Sequence, residues 1–315
     1  MPKVSVVIPT HNRANYIAHA VESVLDQTFR DYEIIVINDG STDNTQEVLK
    51  KFEDKIKLLH QENKGIAQTR NRAIQESTGE YIAFLDSDDY WMPEKLDQQV
   101  RILDTHPKVG IVYSRMPIVD KQGNKIGMKP AGPSGRNFRE LLEIWGDLPT
   151  STVMVRRSCF EKAGLFDTAL HTMEDIDMWI RIARFYDIYE IENKVLAFYR
   201  RHDHQVTNDK TKVYGGLVRI YKKIYDYPEA PRDLMSKRIV KNQYLLAKEY
   251  YLRRNYKAAF ADAWGAILRY PLFGVLFFVK TDNFLIRFFK IMRPYGLFFV
   301  SFLKFLILGF KRKSA

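Results

Sequence analysis

The sequence contains a single cysteine, Cys159, in 315 residues. No intramolecular disulfide can form, which favours a reducing, cytoplasmic setting. The first residues, 1–5, lead directly into a strand-like stretch and show no signal-peptide pattern, which favours the same setting. Because Cys159 has an apolar neighbour, Phe160, and no histidine close to it in sequence, we predict a packed thiol rather than a nucleophile.

Glycine-rich phosphate motifs are also missing. Neither G-x-G-x-x-G nor G-x-x-x-x-G-K-S/T occurs, which argues against a dinucleotide enzyme and a P-loop kinase. Acidic residues are in deficit, with 38 Asp and Glu against 49 Lys and Arg, and the formal net charge is +11. This charge predicts attraction to polyanions: nucleic acid, phosphorylated substrates or anionic lipid.

No apolar run has the length of a membrane span. The longest, 297–310, is interrupted by Lys304 and is shorter than the roughly 20 residues that a spanning helix needs. The segment 271–315 nevertheless combines many Phe and Leu residues with basic residues. This composition favours a helix lying in the plane of an anionic membrane surface, and a core helix or a subunit interface is the alternative.

Strands and helices alternate over the first 105 residues or so. Short apolar runs that predict buried strands lie at 4–8, 33–37, 56–59 and 81–85. Helical periodicity separates them, which predicts an α/β fold with a mostly parallel sheet. A further strand is expected at 149–155 and a helix at 171–185.

The run 81–85 stops at three carboxylates, Asp86, Asp88 and Asp89. Ligands of α/β folds bind just beyond the carboxyl ends of the strands, so this turn is placed at a binding edge. Clustered carboxylates repel one another unless a cation lies among them, and hard oxygen ligands suit Mg²⁺ or Mn²⁺. The alternative is an acidic turn that caps the next helix.

Two further residues are candidates for contacts with a nucleotide. Asp39 follows the strand at 33–37, where its carboxylate could accept the ring N–H of uracil, thymine or guanine. Arg70 could brace Asp39 or approach the base or a phosphate. The alternatives are a plain Asn-Asp-Gly turn for Asp39 and a solvated helix face for Arg70.

Charged residues cluster twice more towards the end of this region. Glu174 and Asp175 open the helix at 171–185, where a carboxylate is either a general base or a complement to the helix dipole. Arg200, Arg201 and His202 crowd together in a short stretch. They could meet a diphosphate, or His202 could bind the metal, and a basic surface loop is the alternative.

Together these stretches resemble glycosyltransferase family 2, the inverting nucleotide-sugar transferases with the GT-A fold. The matching segments are 4–13 (VSVVIPTHNR), 38–43 (NDGSTD), 63–65 (NKG), 70–71 (RN), 85–89 (LDSDD), 164–167 (GLFD), 174–179 (EDIDMW) and 199–202 (YRRH). The resemblance spans about 1–205. Thr69 and Ala73 depart from it, since alanine and glycine are common there in the family.

The resemblance implies a role for each candidate residue. The D-x-D motif would be Asp86-Ser87-Asp88, with Asp88 on the metal and Asp86 facing the ribose or a metal-bound water. Asp175 would be the catalytic base, with Glu174 beside it, and His202 would touch metal or diphosphate. The residues expected to bind the nucleotide sugar are Pro9, Thr10, Asn12, Arg13, Asp39, Arg70, Asp86, Ser87 and Arg200.

Four regions are expected. The resemblance implies a nucleotide-sugar-binding half at 1–105 and an acceptor-binding half at 106–213, in an α/β fold of the GT-A type, Rossmann-like, with a mostly parallel central sheet flanked by helices. Beyond the resemblance, the composition predicts a C-terminal helical extension at 214–270 and a membrane-associating tail at 271–315.

The function implied is a Mn²⁺- or Mg²⁺-dependent inverting glycosyltransferase on the cytoplasmic face of the plasma membrane. UDP is the favoured donor nucleotide, with dTDP and GDP as alternatives, and the acceptor would be a lipid-linked or surface glycan. A nucleotidyltransferase would instead carry a glycine-rich basic loop near the N-terminus, where this chain has 9–13 (PTHNR). A nucleic-acid-binding protein is the third alternative, although no recognised motif supports it. Homo-oligomerisation is left open.

Overall fold

The computed structural model describes residues 1–129, 132, 138–144, 148–203 and 205–269. The chain forms two compact units, Met1–Pro231 and Arg232–Ala315. The predicted boundary between 213 and 214 falls inside a helix of the first unit rather than at its end. The predicted membrane-associating tail at 271–315 lies outside the described residues.

The first unit alternates strands and helices. Its strands are β1 (Val4–Thr10), β2 (Tyr32–Asp39), β3 (Lys57–Gln61), β4 (Tyr81–Phe84), β5 (Tyr90–Trp91), β6 (Val109–Arg115), β7 (Pro117–Val119), β8 (Lys125–Met128), β9 (Met154–Arg156), β10 (Asp187–Val195) and β11 (Ala197–Arg200). Its helices are α1 (Ile17–Leu25), α2 (Thr45–Leu49), α3 (Ile66–Glu76), α4 (Lys95–Thr105), α5 (Phe138–Ile144), α6 (Ser158–Ala163), α7 (Glu174–Ala183) and α8 (Lys210–Tyr225). Short 3-10 turns lie at Lys50–Phe52, Thr150–Thr152 and Val206–Asn208.

Within the described residues, seven strands form the main sheet in the order β10-β6-β9-β4-β1-β2-β3. Neighbouring strands are parallel except β9, which is antiparallel to both β4 and β6. The predicted α/β fold with a mostly parallel sheet is therefore confirmed. Since β1, β2 and β4 run in one direction, their carboxyl ends meet at one edge.

The core explains why the strands read as unbroken apolar runs. β1 is buried along its whole length, and β4 is also buried throughout. Helix α1 covers one face of this sheet with Ile17, Ala20, Val21 and Val24, all fully buried. Burial of each of the three branched side chains, Ile17, Val21 and Val24, stabilises the fold by roughly 1.5–3 kcal/mol. The turn before β4 needs Gly79, because a Cβ there would lie 2.6 Å from the Ser5 nitrogen.

The strand expected at 149–155 is wrong in its first half. Thr150–Thr152 form a 3-10 turn, and β9 begins only at Met154. The Thr152 backbone N–H and side-chain Oγ1 both donate to the Pro149 carbonyl, at 2.8 and 2.7 Å. Hydroxyl side chains that bond to the local backbone compete with strand pairing, which accounts for the difference.

Other local expectations agree with the structure. A smaller four-stranded sheet, β5-β11-β7-β8 among the described strands, contains the predicted turn at 120–124 between β7 and β8. Asp120 Oδ1 accepts the N–H groups of Gln122 and Asn124 there. Cys159 is fully buried, and burial raises the pKa of its thiol to about 12, as suits a packed side chain.

The second unit is described over two helices, α9 (Arg232–Leu252) and α10 (Tyr256–Arg269), which pack together. Among the helices of the described ranges, none has both the length and the apolar character of a membrane span.

A buried lysine in α4 gives a prediction about stability. Lys95 is fully buried; its Nζ donates to Gln99 Oε1 at 2.6 Å and lies 3.9 Å from the Trp91 ring centroid. Burial holds the pKa of Lys95 well below its ordinary value. Between the folded and unfolded pKa values of Lys95, the unfolded chain therefore binds a proton that the folded chain does not, so the contribution of Lys95 to stability rises with pH up to about pH 10.4.

We expect Lys95→Met to remove this component. Relative to the variant, the wild-type protein should gain thermal stability as the pH rises from about 7 to about 10. Thermal unfolding across this range measures the difference, with the exposed Lys51→Met as the matched control. Melting temperatures of Lys95→Met and wild type that change in parallel would contradict the prediction.

Candidate active site

A buried arginine connects two parts of the site that are far apart in sequence. Arg70 on α3 is 3% exposed. Its Nη2 donates to Asp86 Oδ1 at 2.7 Å, and its Nη1 donates to Glu174 Oε1 at 2.5 Å. Burial alone would lower the pKa of Arg70, but the charges of Asp86, Glu174 and Asp175 raise it. The guanidinium is therefore charged and joins the turn after β4 to the start of α7.

The two acidic residues that open α7 differ in environment. Burial raises the pKa of Glu174 to about 7 against the attraction of Arg70, and the charge of Asp175 raises it further. Asp175 is half-buried, and its Oδ2 accepts a hydrogen bond from Thr150 Oγ1 at 2.7 Å. Its Oδ1 accepts the N–H of Ile176 at 2.8 Å. The Asp175 carboxylate is thus oriented by two donors.

The acidic turn after β4 contacts residues from both ends of the first unit. Asp88 Oδ2 lies 2.9 Å from His202 Nε2 and accepts from Arg13 Nε at 3.1 Å. Burial alone would raise the pKa of Asp88, but the hydrogen bond from His202 and the charge of Arg13 hold it below its usual range. Asp88 is therefore ionised at neutral pH.

Asp89 has a different set of partners. Its Oδ2 accepts from Ser151 Oγ at 2.6 Å and its Oδ1 accepts the N–H of Arg200 at 3.0 Å. Burial and the charges of Asp88 and Asp86 raise its pKa well above the ordinary value. Ser87, between the two motif carboxylates, is buried as well. Each of the three carboxylates of the turn thus bonds to a different set of partners.

Asp39 lies at the same edge, at the end of β2, and is 4% exposed. Its Oδ1 accepts from Gln61 Nε2 at 2.6 Å and from the Lys64 N–H at 2.9 Å, and its Oδ2 accepts the Gly65 N–H at 3.0 Å. The expectation that Arg70 might brace Asp39 is wrong, because the Arg70 guanidinium bonds to Asp86 and Glu174 instead.

The N-terminal candidates lie next to Asp39 and the acidic turn. Pro9 and Thr10 end β1 and pair with residues 37 and 38 of β2. Within the described part of the chain, Thr10 Oγ1 is buried without a hydrogen-bond partner. Asn12, in the left-handed region with φ 53°, accepts the Thr42 N–H on its Oδ1 at 2.8 Å. Asn12 therefore ties this loop to the one after β2.

Arg200 contacts aromatic residues that the sequence alone did not indicate as part of the site. Its guanidinium lies 5.5 Å from the Tyr16 ring centroid and 5.2 Å from that of Tyr90. Its Nη2 is 2.6 Å from His19 Nδ1, and burial and the Arg200 charge lower the pKa of His19. The His202 ring stacks on Tyr16. No spacing signal in the sequence links these residues.

The described part of the site contains few side chains that could bind a divalent cation together. Among the described residues, no group of three or more His, Cys, Asp or Glu side chains could hold a metal ion by itself. Asp88 Oδ2 and His202 Nε2 lie 2.9 Å apart and are joined by a hydrogen bond, so both can bind one ion only when His202 Nε2 carries no proton. An ion held by this pair would take its other ligands from phosphate and water.

Comparisons with known proteins identify the family. The model of "Glycosyl transferase family 2" matches residues 5–164, about half of the chain. An uncharacterized glycosyltransferase of Rickettsia typhi is 35% identical over 214 residues, which cover 66% of this chain and 66% of the relative. A Rickettsia felis glycosyltransferase is 35% identical over 65% of this chain, but only 35% of its own length is covered. The chain thus spans less than two thirds of the length of these relatives.

A further relative and two solved structures are also similar to this chain. TuaG of Bacillus subtilis, named for teichuronic acid biosynthesis, is 30% identical over 71% of this chain and 88% of its own. S. aureus TarS 1–349 with UDP-GlcNAc superposes with a TM-score of 0.61 at 20% identity, covering 77% of this chain and 72% of its own.

The second structure is the mannosyltransferase PcManGT of Pyrobaculum calidifontis with GDP-Man and Mn²⁺. Its TM-score is 0.60 at 18% identity, with 93% of this chain and 83% of that chain covered. At these identities the two structures show that the fold is shared. The family match and the identity to TuaG show that the chain belongs to glycosyl transferase family 2.

Proposed function

We propose that the protein is an inverting glycosyltransferase that moves a sugar from a nucleoside diphosphate to an acceptor hydroxyl. The observation that carries the proposal is the convergence of two carboxylate groups at one sheet edge. Asp86 and Asp88 follow the end of β4, and Asp175 lies in the first turn of α7. Arg70 joins the two places, because it bonds to Asp86 and to Glu174, the neighbour of Asp175. Family membership supports the same reading.

The donor is proposed to be a UDP-sugar. Asp39 Oδ2 accepts one backbone N–H, so its second lone pair can accept the ring N–H of a uracil. The Thr10 hydroxyl, at the end of the neighbouring strand β1, is buried without a partner among the described residues, and a bound ligand or water would supply its hydrogen bond. The fold neighbours include complexes with UDP-GlcNAc and with GDP-Man, so dTDP and GDP stay as alternatives.

A divalent cation, Mn²⁺ or Mg²⁺, is proposed to be held by Asp88 and His202 together with the donor diphosphate. When bound, it supplies positive charge that stabilises the leaving diphosphate. Arg13 Nε and the Arg200 guanidinium lie at the same turn and add to this charge. The Mn²⁺ in the mannosyltransferase complex supports the use of a divalent ion.

The chemical step is a single displacement. Asp175 takes the proton of the acceptor hydroxyl onto a carboxylate oxygen, and the acceptor oxygen forms a bond to the anomeric carbon. The bond from that carbon to the phosphate oxygen breaks, and its electron pair leaves with the nucleoside diphosphate. Attack from the opposite face inverts the anomeric centre, so the reaction needs no covalent enzyme intermediate.

The acceptor is proposed to be a lipid-linked or surface glycan at the cytoplasmic face of a membrane. The naming of TuaG for teichuronic acid biosynthesis supports a cell-envelope polysaccharide. The net charge of +11 supports contact with anionic lipid. The segment 271–315, proposed as the membrane contact, lies outside the described residues.

The test is a donor panel. Purified protein is mixed with UDP-, dTDP- and GDP-sugars and Mn²⁺ or Mg²⁺, and release of nucleoside diphosphate is followed alongside thermal shift. We expect metal-dependent release from one donor. Absence of both release and thermal shift with every nucleotide would contradict the proposed function.

In the same panel, Asp88→Ala should lower the release at least about 100-fold, because the carboxylate proposed to hold the cation at the leaving diphosphate is lost. The exposed Asp54→Ala is the matched control and should leave the rate unchanged. Equal rates for Asp88→Ala and Asp54→Ala would contradict the role of Asp88.

A further inference from the structure

The three hydroxyl groups of the turn Thr150–Thr152 all form hydrogen bonds within the protein. All three residues are buried, at 5%, 1% and 0% exposure for Thr150, Ser151 and Thr152. Thr152 Oγ1 closes the turn on the Pro149 carbonyl. Ser151 Oγ and Thr150 Oγ1 point to different carboxylates of the site. The hydroxyl groups of the turn are therefore engaged with the protein itself.

Ser151 connects the turn to the acidic motif. Its hydroxyl donates to Asp89 Oδ2 at 2.6 Å and accepts the Asp86 N–H at 3.1 Å. One hydroxyl thus bonds at two positions of the turn after β4. Because hydrogen bonds to a carboxylate are short and strong, Ser151 fixes the backbone that carries the motif.

Thr150 makes the matching contact to α7. Its Oγ1 donates to Asp175 Oδ2, while Asp175 Oδ1 accepts the Ile176 N–H. Two donors on different oxygens set the plane of the carboxylate. A general base needs a lone pair directed at the proton that it removes, so this orientation matters for catalysis more than for folding.

The backbone of the turn is held from behind by α4 and β5. Gln99 Nε2 donates to the Thr152 carbonyl at 2.7 Å, and Trp91 Nε1 donates to the Ser151 carbonyl at 2.7 Å. Lys95 Nζ in turn holds Gln99 Oε1. This buried network supports the backbone that carries the two hydroxyl groups.

We infer that Thr150 is a positioning residue that orients the Asp175 carboxylate relative to the acidic motif, with Ser151 holding the other end of the same turn. The inference rests on the proposed function, in which Asp175 removes the acceptor proton. It adds a role for two residues that lie outside the acidic stretches of the sequence.

Three variants test the inference. Thr150→Val removes the hydroxyl at nearly constant shape, Thr150→Ser keeps it, and Thr152→Val removes a hydroxyl of the same turn that bonds to no site carboxylate. Donor turnover is measured as nucleoside diphosphate release from the best UDP-sugar of the panel, and kcat and KM are determined separately. Thr150→Ala serves in place of Thr150→Val if the latter does not fold.

We expect Thr150→Val to lower kcat about 10- to 100-fold, the range for a hydrogen bond to a charged group, with the donor KM unchanged. Thr150→Ser should restore kcat to within a few fold of wild type, and Thr152→Val should leave it unchanged. An unchanged kcat in Thr150→Val, an equal loss in Thr152→Val or a failure of Thr150→Ser to rescue would overturn the inference. Absence of both turnover and thermal shift with every nucleotide in the wild-type protein would instead overturn the proposed function, and the inference with it.

Discussion

Asp175→Asn is expected to abolish sugar transfer while donor binding is retained. The carboxylate lies at the first turn of α7, and its two oxygens accept hydrogen bonds from Thr150 and Ile176. Asparagine keeps one acceptor oxygen and the size of the side chain but has almost no basicity. We expect kcat to fall about 100- to 10,000-fold, the range for loss of a general base. The dissociation constant of the donor should change little, because the proposed role of Asp175 is to take the proton of the acceptor.

The variant should also fold normally. The Thr150 hydroxyl can rotate to accept from the new amide, and the remaining oxygen can accept the Ile176 N–H. Glu174→Gln is the matched comparison, since Glu174 is the neighbouring carboxylate but bonds to Arg70. A larger kcat loss in Glu174→Gln than in Asp175→Asn would move the base to Glu174, and intact transfer in Asp175→Asn would remove the assignment of Asp175.

Local patterns in the sequence predict many of the helices and strands of the fold. The apolar spacing of Ile17, Ala20, Val21 and Val24 predicts the helix that the structure has at Ile17–Leu25. The unbroken apolar run before Asp86 predicts a strand buried on both faces, which β4 is. Both succeed because side-chain periodicity is decided within one helix turn or one strand.

The contacts between distant segments could not be read from the sequence. Arg70 and Glu174 are 104 residues apart, and Asp88 and His202 are 114 apart. No spacing rule links such residues, because their proximity depends on the order of strands in the sheet. The resemblance to a family grouped these residues as one site, but it did not say which partner each side chain has.

The turn at Thr150–Thr152 shows a second limit. Its residues and the one that follows, Thr-Ser-Thr-Val, have the β-branched and hydroxyl character of a strand, and the sequence predicts one. The side chains instead bond to Pro149, Asp89 and Asp175. Two of these partners lie outside the segment, so tertiary contacts decide its conformation.

Replacing Arg70 with methionine is expected to have the largest effect on stability. The guanidinium lies between Asp86 and Glu174, and the Glu174 side chain is only 7% exposed. Methionine fills a similar volume but leaves a buried carboxylate without its cation. Removing one partner of a buried ion pair lowers the free energy of unfolding by about 3–5 kcal/mol.

The pH dependence and a double variant separate this cause from a packing defect. In Arg70→Met, protonation neutralises the uncompensated carboxylates, so the loss of stability relative to wild type should shrink as the pH falls. Arg70→Met combined with Glu174→Gln should recover part of the loss, because the two residues act as a pair. Arg72→Met, on the same helix, should have a small effect, since its guanidinium is less buried and bonds to the His60 carbonyl and Gln61. If thermal unfolding gives equal losses for Arg70→Met and Arg72→Met, or no recovery in the double variant, the charge coupling between α3 and α7 is not what stabilises the site.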